Sequence, residues 1–237
     1  MSLDALREQA LAANLALPAH GLVTLTWGNA SAIDRDAGVV AIKPSGVGYE
    51  RMTTVDLVLL DLDGAVVEGS RRPSTDTPTH LALYRAFAEI GGIVHTHSTW
   101  ATAWAQARRE IPVLGTTHAD LCAHPVPLAR QLTEAEIDAD YEAATGTVLV
   151  ERITEFGPGA AAALPCVLVR GHGSFCWGPD AAKAVENAVT LEEVARIAAL
   201  TELIDPGATP LEAALRRKHF ERKHGPHAYY GQPDVGP

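Results

Sequence analysis

Apolar positions recur at helical spacing from Ser2 to Leu17, with Leu3, Leu6, Ala10, Ala13 and Leu17 on one face and Ser2 as N-cap. Pro18 and Gly21 close that element. The pattern then shortens to β-type runs at Leu22–Thr26, Gly38–Ile42, Leu57–Asp61 and Ala65–Glu68. Asp63-Gly64 joins the last two as a hairpin turn, because glycine takes the positive φ such a turn demands. Thr77 as N-cap and Pro78 as first residue predict a helix to about Ala88, followed by a strand over Gly91–Ser98 and a helix over Thr99–Gln106. Thr133 and Glu136 form a capping box for a helix to Tyr141. Strands follow near Thr147–Val150, Cys166–Val169 and Ser174–Trp177. The longest helix, about Asp180–Leu203, carries an apolar stripe of Ala184, Ala188, Leu191, Ala195 and Ala198. A last helix over Pro210–Arg222 precedes the tail Lys223–Gln232.

Closely spaced strands and hairpins outnumber β-α-β units. The expected fold class is therefore α/β, with a central, mainly antiparallel sheet flanked by helices. No Pro/Ser/Gly-rich linker divides the 237 residues, so one domain is expected over 1–237. The hydrophobic content of 47% suffices for a sizeable core, yet the longest apolar runs are too short to cross a bilayer and no basic-plus-apolar leader opens the chain. Three cysteines without a CxxC (Cys122, Cys166, Cys176) argue against a disulfide framework or thiolate finger and for a reducing cytoplasm. A net charge of −10 speaks against nucleic acid as partner, and an anionic substrate would need a local cation.

Gly91-Gly-Ile-Val-His-Thr-His-Ser98 sets His95 and His97 two residues apart on one strand. Side chains alternate with period two, so both imidazoles project to one side, a good start for a divalent-metal site. Arg170-Gly-His-Gly173 offers His172 as a third ligand, and Asp76 in Pro73-Ser-Thr-Asp-Thr-Pro78 offers a carboxylate. Three imidazoles and a carboxylate suit Zn²⁺ or a similar ion, the alternative at each position being a hydrogen-bonded core residue. The HxH spacing also occurs in cupins, but those follow it with a glutamate and Ser98–Gln106 has none. Thr26-Trp-Gly-Asn29, Lys43-Pro-Ser-Gly46 and Ser74-Thr75 are rich in hydroxyls, small residues and free N–H groups. Loops of that kind bind phosphate, though each alone also reads as an ordinary turn. Acid–base candidates are His118 and Asp120 in Gly115-Thr-Thr-His-Ala-Asp120, and Tyr230 in the tail. A loop cap and a packed Tyr229–Tyr230 pair are the alternatives for Asp120 and Tyr230.

Read as whole strings, Leu-Thr-Trp-Gly-Asn-Ala-Ser-Ala, Ile-Lys-Pro-Ser-Gly-Val, Pro-Ser-Thr-Asp-Thr-Pro-Thr-His, Gly-Gly-Ile-Val-His-Thr-His-Ser and Gly-Thr-Thr-His-Ala-Asp resemble the class II aldolase/adducin superfamily. The closing Lys-His-Gly-Pro-His-Ala-Tyr-Tyr-Gly-Gln is similar to its pentulose-phosphate epimerase branch. The resemblance runs from about residue 3 to Gln232. It implies a three-layer fold and a cyclic homotetramer with intersubunit active sites, the tail over 223–237 completing a neighbour's site. It makes Asp76, His95, His97 and His172 ligands of Zn²⁺ or of another divalent ion such as Mn²⁺ or Co²⁺. Gly28, Asn29, Lys43, Ser45, Gly46, Ser74 and Thr75 would hold a pentulose phosphate. Asp120 and Tyr230 would be the acid–base pair, Tyr230 coming from the neighbouring subunit, with Thr116, His118, Glu142 and His219 in supporting positions. The implied reaction interconverts L-ribulose 5-phosphate and D-xylulose 5-phosphate by retro-aldol cleavage and re-formation of C3–C4. Sister aldolases of this superfamily carry a glutamate where Asp76 stands. A fragment-releasing aldolase is the alternative activity, and a metal-free, adducin-like binding module the alternative of another class.

Overall fold

A computed structural model describes residues 1–232. Seven strands form one antiparallel sheet in the order β4-β3-β2-β1-β5-β7-β6, from β1 (Asn29–Asp34), β2 (Val39–Ile42), β3 (Val58–Asp61), β4 (Val66–Glu68), β5 (Gly92–Thr96), β6 (Cys166–Val169) and β7 (Gly173–Gly178). Alternate side chains feed two cores. Ala30, Ala32, Val94, Cys166, Leu168 and Cys176 pack with α1 (Leu3–Ala19), α3 (Thr99–Gln106) and α7 (Ala181–Ile204). Ile33, Ile93, Val167, Val169, Phe175 and Trp177 pack with α2 (Thr77–Ala86), α5 (Glu134–Thr154) and the short α6 (Ala160–Ala163). That is the expected three-layer α/β architecture, and burial on both faces makes the central strands read as continuous rather than alternating runs. Two further helices, α4 (Thr116–Leu121) and α8 (Ala213–His224), lie against one another, and α8 buries none of its residues.

The caps at Ser2 and Thr133/Glu136 form as expected, and so does the Asp63-Gly64 turn, with Gly64 at φ +91°. Three expectations are corrected. Leu22–Thr26 is a loop, bent by a Trp27-to-Thr24 turn and by Leu25 at φ +54°. The true strand is its neighbour Asn29–Asp34, whose small and polar residues conceal a position at the centre of the sheet. There Asn14 of α1 donates to the Ala30 carbonyl and accepts from the Ala30 N–H, which holds helix and strand close. Thr147–Val150 is helical rather than extended, because Gly146 lets α5 approach α2. A Cβ at Gly146 would lie 2.6 Å from that of Ala82. Close packing there overrides the β-branched composition. The last helix runs to His224, so only the segment after it is non-helical tail, and residues 233–237 of the expected tail lie outside the described residues.

Among the described residues no helix is long and apolar enough to cross a membrane. Cys122, Cys166 and Cys176 are buried free thiols.

Candidate metal centre and substrate cavity

His95 is the penultimate residue of β5, His97 follows the strand, and His172 sits in the turn between β6 and β7, where Gly171 at φ +69° reverses the chain. Antiparallel pairing of β5 with β7 sets His95 opposite Phe175 and so carries the turn to the imidazoles. The three offer nitrogen atoms all within 4.8 Å of one another, with His95 Nε2 and His97 Nε2 3.2 Å apart. His95 Nδ1–H donates to the Ser174 carbonyl at 2.9 Å, an acceptor-only partner that leaves Nε2 with its lone pair. The Phe175 ring stacks on His95 at 4.2 Å between centroids. A Cβ on Gly173 would lie 2.5 Å from the Thr96 carbonyl and 3.1 Å from His97, so glycine is needed beneath the cluster. Burial, followed by the neighbouring imidazoles, pushes His172 down to about 3; burial and then His95 lower His97. Neutral rings aiming lone pairs at one point repel unless a cation lies between them, so this donor set fits a divalent ion.

Asp76, rather than the expected Thr77, is the N-cap residue of α2, yet its carboxylate caps nothing. Its Oδ2 instead accepts from Asn29 Nδ2 at 2.7 Å, and it faces the same cavity without joining the three-nitrogen cluster. Burial pushes its pKa up, but His95, His80 and the Asn29 hydrogen bond outweigh this and hold it below the ordinary carboxylate value.

The cavity holds about 520 Å³, and all three loops singled out for their hydroxyls and glycines line it. A bridge between Pro44 and Pro73 ties the second loop to the third, and Ser74 N–H donates to the Lys43 carbonyl at 3.0 Å. Gly28 at φ +73° brings the first loop against β5, where a Cβ would meet the His95 carbonyl at 2.8 Å. Lys43 is buried, its Nζ donating to the Thr26 carbonyl at 3.1 Å and lying 4.9 Å from the Tyr49 ring centroid. Burial lowers its pKa, and the field of Asp76 partly offsets that. Gly28, Asn29, Lys43, Ser45, Gly46, Ser74, Thr75 and Glu142 therefore share one cavity with Asp76 and the imidazoles.

The remaining candidates lie elsewhere in the protomer. Asp120 on α4 accepts from Arg222 Nε at 3.0 Å and from His219 Nδ1 at 3.1 Å, both on α8. Burial opposes ionisation there, but these partners prevail and hold its pKa below the ordinary value. Asp120 and Tyr230 line a separate cavity of about 540 Å³, and no residue lines both cavities. Tyr230 lies under two cations, with Lys223 Nζ 4.2 Å from its ring centroid. Thr116 opens α4. His118 is a buried core histidine whose Nε2–H donates to the His124 carbonyl at 3.0 Å, and burial lowers its pKa to about 4. It lines neither of these cavities.

Sequence reasoning missed Tyr141, whose Oη lies 2.9 Å from His172 Nδ1 at the cavity wall. A signal was available in the helix expected to stop there. The α5 backbone does break at Asp140 (φ −159°, ψ 91°), turning Tyr141 and Glu142 inward.

A family model described as the class II aldolase and adducin N-terminal domain matches residues 8–199. The chain is 55% identical over 227 residues to the L-ribulose-5-phosphate 4-epimerase UlaF of Salmonella paratyphi A, covering 96% of this chain and 98% of that protein. The same figures hold for the protein of that name in Salmonella typhi. Among solved structures, an L-fuculose 1-phosphate aldolase superposes with a TM-score of 0.76 at 25% identity, covering 92% of this chain and 95% of its own.

Proposed function

The chain belongs to the class II aldolase and adducin family, and from that premise we propose that it is a metal-dependent enzyme interconverting L-ribulose 5-phosphate and D-xylulose 5-phosphate. The observation that carries this reading is one cavity holding three convergent imidazoles at one side and three phosphate-type loops at the other. Near-full-length identity to the Salmonella epimerases supports the choice of substrate.

His95, His97 and His172, with Asp76, would hold a divalent ion, and zinc or a similar metal supplies Lewis acidity toward the ketose oxygens. C4 of a ketopentose phosphate bears no acidic hydrogen, so inversion proceeds by retro-aldol cleavage of C3–C4 and re-formation on the other face of the aldehyde. Asn29, Ser45, Gly46, Ser74 and Thr75, with the backbone at Gly28, keep the phosphate anchored while that carbonyl turns. Lys43 lies beneath these loops as their cation. Tyr230 and Asp120 move the proton at the C4 oxygen, one on each face. The resemblance gives only Tyr230 to a neighbouring subunit, but because Asp120 shares its cavity in the protomer, both would act from there. Charge supports that assembly. The exposed Arg217 and Lys218 of α8 complement the acidic opening of α5, Glu134 to Glu142, which leads into the metal cavity, while His219 and Arg222 stay engaged with Asp120. Glu142 stands at its rim, while Thr116 and His219 flank Asp120 in sequence and space. Buried free thiols fit a reducing compartment, and we place the enzyme in the cytoplasm.

Incubation of metal-loaded protein with L-ribulose 5-phosphate tests the proposal. D-Xylulose 5-phosphate is the expected product. Release of free dihydroxyacetone would replace the epimerase with a fragment-releasing aldolase. No turnover and no bound metal would leave a binding module.

A further inference from the structure

The two imidazoles with a partner on Nδ1 are held by different means. His95 leans on a backbone carbonyl, which no substitution removes. His172 depends on a side chain, the Tyr141 phenol, supplied from α5. The phenol is presented rigidly: Asp140 Oδ1 accepts the Ala143 N–H at 3.0 Å and restarts the helix after the break. Thr145 Oγ1–H then donates to the Tyr141 carbonyl at 2.8 Å, and Thr79 Oγ1–H of α2 donates to the Glu142 carbonyl at 2.6 Å.

The direction of the Tyr141–His172 hydrogen bond has a chemical consequence. If the phenol donated its proton to Nδ1, the His172 Nε2 would carry hydrogen and could bind no cation. A metal-binding His172 therefore donates Nδ1–H to the Tyr141 oxygen, which leaves the phenol O–H free. Besides His172 the phenol meets the Thr145 hydroxyl, whose own proton is committed to the Tyr141 carbonyl, and it lines the cavity.

We propose that Tyr141 is both the positioning residue that fixes the His172 tautomer and a donor to an oxygen of the bound ketose phosphate. This rests on the metal-dependent reading above and extends it: one hydroxyl couples loading of the metal to recognition of the sugar. Tyr141→Phe removes that hydroxyl alone and keeps the ring.

Three measurements on the full chain test it. Competition with a chromophoric chelator should show zinc affinity about 10–100-fold weaker in Tyr141→Phe, the range for loss of a partner behind a metal-binding imidazole. Nitrogen-15 spectra of metal-free wild type should show His172 as the Nδ1–H tautomer, and the Phe variant should lose that preference. With metal saturating, KM for L-ribulose 5-phosphate should rise in the variant by about 10-fold or more, as for a lost hydrogen bond to a substrate hydroxyl. Wild-type zinc affinity in the variant, or an Nε2–H tautomer in the wild type, would overturn the positioning role. Unchanged KM and kcat at saturating metal would overturn the donor role. Failure of the parent reading looks different, since wild type itself would then bind no metal or leave L-ribulose 5-phosphate unconverted.

Discussion

His95 stands on a strand buried on both faces, whereas Tyr230 stands beyond a helix that buries nothing. The imidazole cavity is held by sheet register, by a backbone carbonyl behind His95 and by a glycine, Gly173, that admits no side chain. The α4–α8 cluster is held by charge: Arg222 and His219 on Asp120, and Lys223 over Tyr230. A part built on the sheet keeps its geometry in one protomer. A part built on a few partly buried ion pairs, with no buried apolar face on α8, is held less firmly alone. Metal chemistry and proton transfer should accordingly be separable by substitution.

The largest effect should come from the rigid part. His97→Asn removes one of three nitrogens and should lower turnover by at least about 10³-fold, the several kcal/mol a Lewis acid contributes read at 1.36 kcal/mol per decade. Chelation of wild type should do the same, and added zinc should restore it. Turnover by protein shown by emission spectrometry to be metal-free would break the comparison at its stronger end.

Next in size, Tyr230→Phe should lower kcat by about 10²–10⁴-fold, the usual worth of a positioned acid or base. Its metal content should equal that of wild type. If metal is lost as well, the two parts are not independent. If kcat is unchanged, the proton passes through another group.

A smaller effect sharpens the claim that packing, rather than ligand count, sets the cluster. Gly173→Ala leaves every ligand in place but drives a methyl against the Thr96 carbonyl and His97. Zinc affinity should fall by about 10–100-fold, as when support behind a ligand is disturbed. Chelator competition that returns the wild-type value would mean that the turn yields freely.

What the sequence revealed follows the same division. HxH spacing on a strand, a Gly-His-Gly turn and three hydroxyl-rich loops are local patterns with direct geometric meaning, and the structure brings all of them to one cavity. Asn29–Asp34 escaped notice because a central strand packed against Asn14 needs small residues, which carry little β signal. Thr147–Val150 misled because β-branched residues were read without the helix they pack against. Tyr141 went unrecognised because its role depends on a backbone break and a partner 31 residues away. His118 was singled out on chemistry alone, and burial makes it a core residue.

The finest distinction between the two parts is their response to acid in the metal-free protein. Around the sheet-built part, burial holds His80 and His172 near 3, below the ordinary histidine value of 6.5. These rings stay neutral in the fold but take up protons in the unfolded chain. Their contribution to stability is complete above about pH 6.5 and declines as pH falls toward 4, with about two protons bound on unfolding in that window. Asp120 behaves differently. Its lowered pKa makes its contribution complete above the ordinary carboxylate value of 3.8, and that contribution is lost only as pH falls through the still lower folded value. Urea titrations should therefore show the midpoint for global unfolding falling steadily between pH 6.5 and 4. Across the same range, amide exchange in α8 should show its docking on α4 unchanged at low salt. Loss of α8 protection near pH 5 with the global midpoint still at its neutral value would reverse the assignment, making the surface cluster the acid-sensitive part and the imidazole cavity the indifferent one.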